Sequence, residues 1–147
     1  MDFALRVAES TAFALHSALG ITEPCHGTVE STLGGAGSLP RWFWPTAGLC
    51  LGLVSYANFS GSSQAVLCAQ AYIVAFHSGA MFWHWRLQHH PVAALAPGVF
   101  VVLAAIVAGL RVSIFVALLG TAICAAFGVI LGLVLVTPPQ RHTALLG

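Results

Sequence analysis

Long apolar runs, separated by short polar or turn-forming stretches, make up most of this chain. Four runs are almost free of charge and have the length of a helix that crosses a lipid bilayer, about 17 to 25 residues. Arg111 separates the last two, which together are too long for one crossing, so we predict a tight turn at 109–113. The predicted spans are residues 43–59, 65–84, 93–110 and 112–136.

The first apolar segment, residues 3–21, is interrupted by polar groups. Arg6, Glu9 and His16 recur with Phe13 at spacings of three or four residues, which predicts that they share one helical face. Arg6 and Glu9 lie one turn apart and are expected to pair. Two interpretations stay open: a further crossing whose charges face protein, or an amphipathic helix at the membrane surface.

These patterns predict an all-α fold, an integral membrane helix bundle of four to five transmembrane helices in one domain, residues 1–147. Residues 22–41 are predicted to form a polar loop outside the hydrocarbon. The composition agrees, because 59% of the residues are hydrophobic and 6% are charged, a balance that soluble folds do not accommodate. The chain has no lysine and five single arginines, so it lacks the basic patch that nucleic acid requires. Membrane lipids and other membrane subunits are the expected partners.

The arginines also suggest an orientation. Arg41, Arg86 and Arg141 fall on one side of the predicted bundle and Arg111 on the other. The positive-inside rule therefore favours the first side as cytoplasmic, stromal or matrix.

The segment 65–91 joins an apolar helix to an aromatic and basic collar of the kind found where hydrocarbon meets headgroups. Within the helix, Gln70, His77 and His84 are seven residues apart and so lie on one stripe. With His16, this stripe would suit the axial ligation of chlorophyll or contact with quinone. We favour the plainer interpretation, hydrogen bonding to neighbouring helices. The cofactor stays unknown, with chlorophyll or lipid ahead of a haem held by His16 and His77.

A metal site at the membrane surface is a further alternative. Imidazole, thiolate and carboxylate groups are suitable ligands, but the adjacent His89 and His90 would diverge by about 100° in a helix, and we predict no metal. We also predict no catalytic residue, because no catalytic triad, phosphate-binding loop or close carboxylate pair is present in the sequence. The metal alternative would draw on Glu23, Cys25, His26, Glu30, His89 and His90.

Two sets of small residues recur at four-residue spacing, which lets another helix approach closely. Gly48 and Gly52 form one pair, and Gly120, Gly128 and Gly132 with Cys124 form a longer ridge. These glycines provide more surface for close helix packing than contacts within so small a bundle require. We therefore expect part of it to contact other subunits.

The order of features resembles the DoxX-like membrane proteins. The residues that carry the resemblance are an early arginine in the opening span, at Leu5-Arg6, a glycine-rich loop reaching Leu39-Pro40, and a glycine-containing span that follows. The similarity covers roughly residues 3–110. It implies a bundle of about four helices, and some members of the family are linked to quinone-coupled sulfur oxidation.

Two functions follow as expectations. The favoured one is a non-catalytic accessory or structural subunit of a larger energy-converting complex, of photosystem or respiratory type, in a thylakoid or inner mitochondrial membrane. The alternative is a DoxX-like quinone-linked redox enzyme, or its small membrane subunit, using His16, His77 and Glu9.

Overall fold

The computed structural model describes residues 2–27, 39–40, 42–60 and 62–135. Within those ranges all regular structure is helical and there is no strand, which confirms the all-α prediction. A 3₁₀ turn, Pro91–Ala94, leads into the fourth helix. The α-helices are α1 (Asp2–His26), α2 (Phe43–Phe59), α3 (Ser63–Arg86), α4 (Leu95–Gly109) and α5 (Ile114–Leu135).

Three helical segments are long and apolar enough to cross a membrane: Ser63–Arg86, Pro91–Gly109 and Ile114–Leu135. By length and composition the structure therefore supports membrane insertion of α3, α4 and α5. The short α2 has 17 residues and α1 carries charged residues, so the predicted total of four to five crossings goes beyond this finding.

Helix α1 continues past the position where a loop was predicted to begin. It passes through Thr22 and Pro24 and ends at His26. Glu23 is still buried in this last turn, so packing outweighs the helix-breaking effect of proline. Gly27 then adopts a left-handed conformation with φ of 57°, and its N–H donates to the Glu23 carbonyl over 2.8 Å, a common helix end. The remainder of the predicted loop, residues 28–38 and 41, lies outside the described residues.

Helix α3 occupies the centre of the bundle, since it contacts α2, α4 and α5, while α1 packs along α2. Its N-terminus is capped by Ser62, whose side chain accepts from the Ala65 N–H over 3.3 Å. One apolar cluster joins all five helices. Its buried members are Phe13, Leu51, Val54, Ala69, Ile73, Val74 and Ala104, with Cys124 and Ala125 packed against them.

The glycines of α2 lie against α1. A Cβ added to Gly48 would lie 2.8 Å from the carbonyl oxygen of Ser17, and one added to Gly52 would lie 2.9 Å from the Ser17 hydroxyl. Gly20 of α1 faces Gly48 from the other side, with 3.0 Å between its added Cβ and the Gly48 Cα. The two backbones therefore approach closely only because neither position carries a side chain.

The glycines of α5 lie mainly against α3. A Cβ added to Gly128 would overlap the carbonyl oxygen of Ala75, and one added to Gly132 would lie 2.8 Å from the Phe82 ring, whereas Gly120 has open space. Four of the five predicted packing glycines thus serve helices of the same chain. This corrects the expectation of surplus close-packing surface. We call this contact the glycine interface; it consists of Ala75, Gly79, Phe82, Gly128 and Gly132.

Candidate functional site

The polar face of α1 points into the bundle. Most of the large exposed residues of α1 are apolar, among them Phe3, Leu15 and Leu19. This polar-inside arrangement is the one expected of a helix whose surroundings are lipid. The buried residues are Arg6, Glu9, Ser10, Phe13, Ser17, Gly20 and Glu23.

His16 departs from its predicted face. It is exposed, while Arg6, Glu9 and Phe13 are buried. The buried stripe runs through Ser17 instead, which places His16 about 100° around the helix at the edge of the contact.

Three buried side chains, one from each of the first three helices, form the centre of the site. Glu9 Oε2 of α1 accepts hydrogen bonds from Asn58 Nδ2 of α2 and Gln70 Nε2 of α3, both over 3.1 Å. Gln70 Nε2 also donates to Asn58 Oδ1 over 2.8 Å. Exposure of these side chains is at most 2%. The network therefore ties three helices together without contact with solvent.

A second pair of hydrogen bonds extends this contact along α1 and α2. Ser10 Oγ donates to the Ser55 carbonyl over 3.2 Å, and Ser55 Oγ donates to the Ser10 carbonyl over 2.9 Å. The reciprocal bonds fix the register of the two helices. We call the whole contact the polar interface; it consists of Arg6, Glu9, Ser10, Ser55, Asn58 and Gln70.

The predicted pairing of Arg6 with Glu9 is wrong. Arg6 Nε pairs with Asp2 Oδ2 over 3.0 Å, and Arg6 Nη1 donates to the backbone carbonyl of Asn58. Asp2 is one turn before Arg6 on the same face, whereas the Glu9 carboxyl is turned toward the two amides.

A cluster of charges closes one end of the bundle, which we call the Asp2 end. Arg111, in the turn between α4 and α5, donates from Nη2 to Asp2 Oδ2 over 2.8 Å and from Nη1 to Ser63 Oγ over 3.0 Å. The hydrogen bond from Arg111 lowers the pKa of Asp2 below its ordinary value of 3.8, and Arg6 adds to the effect. The starts of α1 and α3 therefore meet the α4–α5 turn here.

Two acceptors of the polar interface have no donor. Among the described residues, Glu9 Oε1 and Gln70 Oε1 are buried without a hydrogen-bond partner. Buried polar atoms of folded proteins are nearly always paired, so such atoms call for a specific explanation. The only other such side-chain atom in the described part of the chain is Arg86 Nε, at the opposite end of α3.

The stripe predicted on α3 is buried along its whole length, at Gln70, His77 and His84. His77 Nδ1 lies 2.8 Å from the Ile73 carbonyl, which assigns the ring proton to Nδ1. The ring centroid of His77 lies 5.4 Å from that of Phe13 and 4.9 Å from that of Phe100. Side chains of the protein thus already pack closely around this imidazole.

His16 lies at the edge of that ring cluster, and the His84 ring packs against Trp83 and His89 instead. His16 Nδ1 bonds to the Ala12 carbonyl over 2.9 Å, and its ring meets only the edge of Phe100, at 6.3 Å between centroids. His84 Nδ1 and His89 Nδ1 are 2.9 Å apart, so one of the two carries the shared proton. The proposed roles of His16, His77 and His84 in binding pigment or haem stay predictions.

The metal alternative gains no support from the described residues. Among them, no group of three or more histidine, cysteine, aspartate or glutamate side chains could hold a metal ion. Glu30 lies outside the described ranges.

Two apolar grooves lie beside α3. One, of about 510 Å³, is lined by Met81, Phe82, Trp85 and Val129 among others. The other, of about 230 Å³, lies between α3, α4 and α5 and has Gln70 and Thr121 as its polar lining residues. Grooves of this kind suit the acyl chain of a lipid.

No family model, no curated protein and no solved structure matches the chain. The DoxX-like resemblance therefore stays a prediction.

Sequence reasoning missed Asn58, which is the hub of the polar interface, and Gly79, which faces Gly128 in the glycine interface. Each left a signal. Asn58 is the only amide side chain of the 43–59 span, and Gly79 follows Ala75 at the small-residue spacing of four.

Proposed function

We propose that this protein is a non-catalytic accessory or structural subunit, with five membrane crossings, of a larger membrane complex. An energy-converting complex of an organellar membrane, thylakoid or inner mitochondrial, is the specific assignment we favour. Contact with lipid or pigment at the bundle surface is part of the proposal.

The hydrogen bonds of α1 support a crossing rather than a surface helix. The exposed polar residues Thr11, His16 and Thr22 each bond to the backbone carbonyl four residues earlier, over 2.8 to 2.9 Å. A helix whose exposed polar groups are satisfied internally has no need of water on that side. Helix α2, with 17 residues, is about 26 Å long, which is short but sufficient beside a locally thinned bilayer.

Cysteine labelling tests the crossing of α1. In variants with a single cysteine, a membrane-impermeant maleimide should label native Cys25 from one side of sealed vesicles and Ala4→Cys from the other. Cys68, an exposed residue within α3, should resist labelling because it faces hydrocarbon. Labelling of both α1 positions from the same side would instead identify α1 as a surface helix.

The observation that carries the accessory role is the surface of α5. Of its 22 residues only Ala117, Gly128 and Gly132 are buried. Large apolar side chains such as Phe115 and Ile123 point outward, and the described connections between helices are short. The described part of the chain thus offers apolar helix surface, suited to lipid and to other membrane helices, in place of a polar cleft.

Gentle solubilisation followed by a native gel tests the proposal. The protein should migrate with a complex much larger than its own 15.3 kDa. Gly120 has open space around it, so Gly120→Leu should weaken this association while leaving the bundle folded. Ala126→Leu, in the groove on another side of α5, provides a matched control. Migration of the native protein as a monomer would contradict the accessory role.

The alternative of a DoxX-like quinone-linked redox enzyme has less support. His77 is packed by aromatic rings, Glu9 is bonded to amides, and His16 lies on the outer face. The purified protein separates the two functions. A visible absorption spectrum with a haem band, or reduction of quinone by the isolated chain, would favour the enzyme.

A further inference from the structure

The two unpartnered acceptors of the polar interface belong to side chains that are already joined. Glu9 Oε2 accepts from Gln70 Nε2 over 3.1 Å, yet the second oxygen of Glu9 and the oxygen of Gln70 have no donor. Glu9 is 0% and Gln70 2% exposed, so bulk water does not provide one. An acceptor buried in this way loses its hydration without compensation.

The chemistry of the pair indicates what is missing. A carboxylic acid and a primary amide form a cyclic pair, in which the acid carbonyl accepts the amide N–H and the acid O–H donates to the amide oxygen. Half of this pair is present between Glu9 and Gln70. One proton on Glu9 Oε1 would convert an unpaired acceptor into a donor and would satisfy the Gln70 oxygen at the same time.

We propose that Glu9 is a proton-binding site of the bundle, in which the neutral carboxyl donates from Oε1 to Gln70 Oε1. Binding forms one O–H bond on Glu9, breaks one O–H bond of a hydronium ion, which leaves as water, and removes one negative charge. The site is additional to the accessory role and does not rest on it.

Rotating the Gln70 amide does not remove the need for this proton. The rotation would place the amide oxygen against Glu9 Oε2 and Asn58 Oδ1, the two atoms that now accept from Nε2. Both are acceptors in the present arrangement, so three oxygens would then face one another. The present amide orientation with a protonated Glu9 is the arrangement that pairs the largest number of groups.

The charged groups around Glu9 form ion pairs with one another and not with the Glu9 carboxyl. On its own helix, Arg6 pairs with Asp2 and donates to a carbonyl of α2. From the α4–α5 turn, Arg111 also pairs with Asp2. Helix α2 presents the Asn58 amide, and the nearest titratable group of the buried stripe of α3, His77, lies beyond Phe13. No cation within the described residues bonds to the Glu9 carboxyl, and burying a charged carboxylate without a counterion is costly, which favours the neutral form.

Protons would reach the site from the Asp2 end. Asp2 precedes Glu9 by seven residues, or about 10 Å along the helix. The polar groups of Asp2, Arg6 and Asn58 occupy this interval. On the other side of Glu9, away from Asp2, the next buried residue of similar size on this face is the apolar Phe13.

Infrared difference spectroscopy of the full chain in lipid nanodiscs tests the proposal. At neutral pH the native protein should show the C=O band of a protonated carboxyl, with a downshift in D₂O. Glu9→Gln should lose this band, and it should fold, because a glutamine amide offers Gln70 an N–H donor in place of the acid O–H and keeps the oxygen acceptor. Glu23→Gln, at the other buried acid of α1, should retain the band. Gln70→Leu should shift it to the position of a carboxyl without a hydrogen-bond acceptor.

Absence of the band in the native protein, or its persistence in Glu9→Gln, would overturn the assignment of the proton. An unchanged band position in Gln70→Leu would overturn the assignment of its partner. If Glu9→Gln does not fold, the native band, the D₂O shift and the Gln70→Leu spectrum still decide between the two outcomes. None of these readouts depends on association with a larger complex, so failure of the accessory role is detected separately on the native gel.

Discussion

The two sides of α3 hold their neighbours by different means. Toward α1 and α2, the polar interface is built from hydrogen bonds between side chains of three helices. Toward α5, the glycine interface has no hydrogen-bonding side chain, and the backbones approach because side chains are absent. In lipid, apolar side chains gain little by leaving the solvent for a helix contact. Directed hydrogen bonds and close backbone packing are then the available means, and α3 uses one on each side.

The difference predicts how each contact fails. The glycine interface tolerates no added volume but contains no polar group that could be left unpaired. In the polar interface every lost donor leaves a buried acceptor behind. Size should therefore govern substitutions on one side of α3, and hydrogen-bonding capacity those on the other.

The largest effect should come from added volume in the glycine interface. Gly128→Val would place side-chain atoms on the Ala75 carbonyl, and the forced separation of α3 and α5 should cost about 3 kcal/mol of unfolding free energy. Denaturation in mixed detergent micelles measures this loss. Gly120→Val, where the space is open, is the matched control. Equal losses in the two variants would contradict the proposed role of the interface.

A smaller loss is expected when the hub of the polar interface is removed. Asn58→Leu retains approximate volume but takes away the donor to Glu9 and the acceptor for Gln70. Leaving these groups buried and unpaired should cost about 2 kcal/mol. Thr11→Val, at an exposed residue bonded to its own helix, should change the same unfolding curve very little. The comparison fails if Asn58→Leu is no more harmful than this control.

A still smaller effect, dependent on pH, is expected at the Asp2 end. The hydrogen bond from Arg111 lowers the pKa of Asp2, so the ionised carboxylate stabilises the fold. This stabilisation is complete above the ordinary pKa of 3.8 and is lost as the pH falls through the lower folded-state value. Because the Asp2 side chain is 29% exposed, we expect about 0.5–1 kcal/mol.

Asp2→Asn should therefore lower stability at neutral pH and flatten its decline in acid. Thermal denaturation as a function of pH, in the native protein and the variant, gives both quantities. Parallel curves for the two proteins would show that the decline in acid has another origin.

The smallest quantity expected is the coupling between the two interfaces. Asn58 and Gly128 share no bonding partner and lie on different sides of α3. The losses from Asn58→Leu and Gly128→Val should therefore add to within about 0.5 kcal/mol in the double variant. A larger coupling, measured by the same denaturation, would mean that α3 transmits strain from one side to the other.

The course of the helices could be predicted from the sequence. The bounds of α2 to α5 lie within about two residues of the predicted spans, because long apolar runs interrupted by Arg111 leave few alternatives. The end of α1 could not be predicted, because local signals at Thr22 and Pro24 favour a loop, whereas Glu23 is buried within the helix in the folded chain.

The candidate site could be predicted only in part. Periodicity placed Gln70, His77 and His84 on one stripe, and all three are buried. The residues on other helices that contact this stripe could not be predicted. A sequence shows which residues share a face of one helix but not which helix packs against that face. Spacing along the helix predicts that Arg6 pairs with Glu9, which follows it by three residues. In the fold, the side chain that reaches the Glu9 carboxyl is that of Asn58, from another helix.

The position of Phe13 limits what the buried stripe of α3 can transmit. Its ring is fully buried, with 0% exposure, and its centroid lies 5.4 Å from that of His77 with the two rings tilted by 43°. Phe13 follows Glu9 by one turn on the buried stripe of α1, so an apolar ring comes between the Glu9 carboxyl and the His77 imidazole along this stripe. We therefore expect exchange of a proton between Glu9 and His77 to require the benzyl group to turn aside.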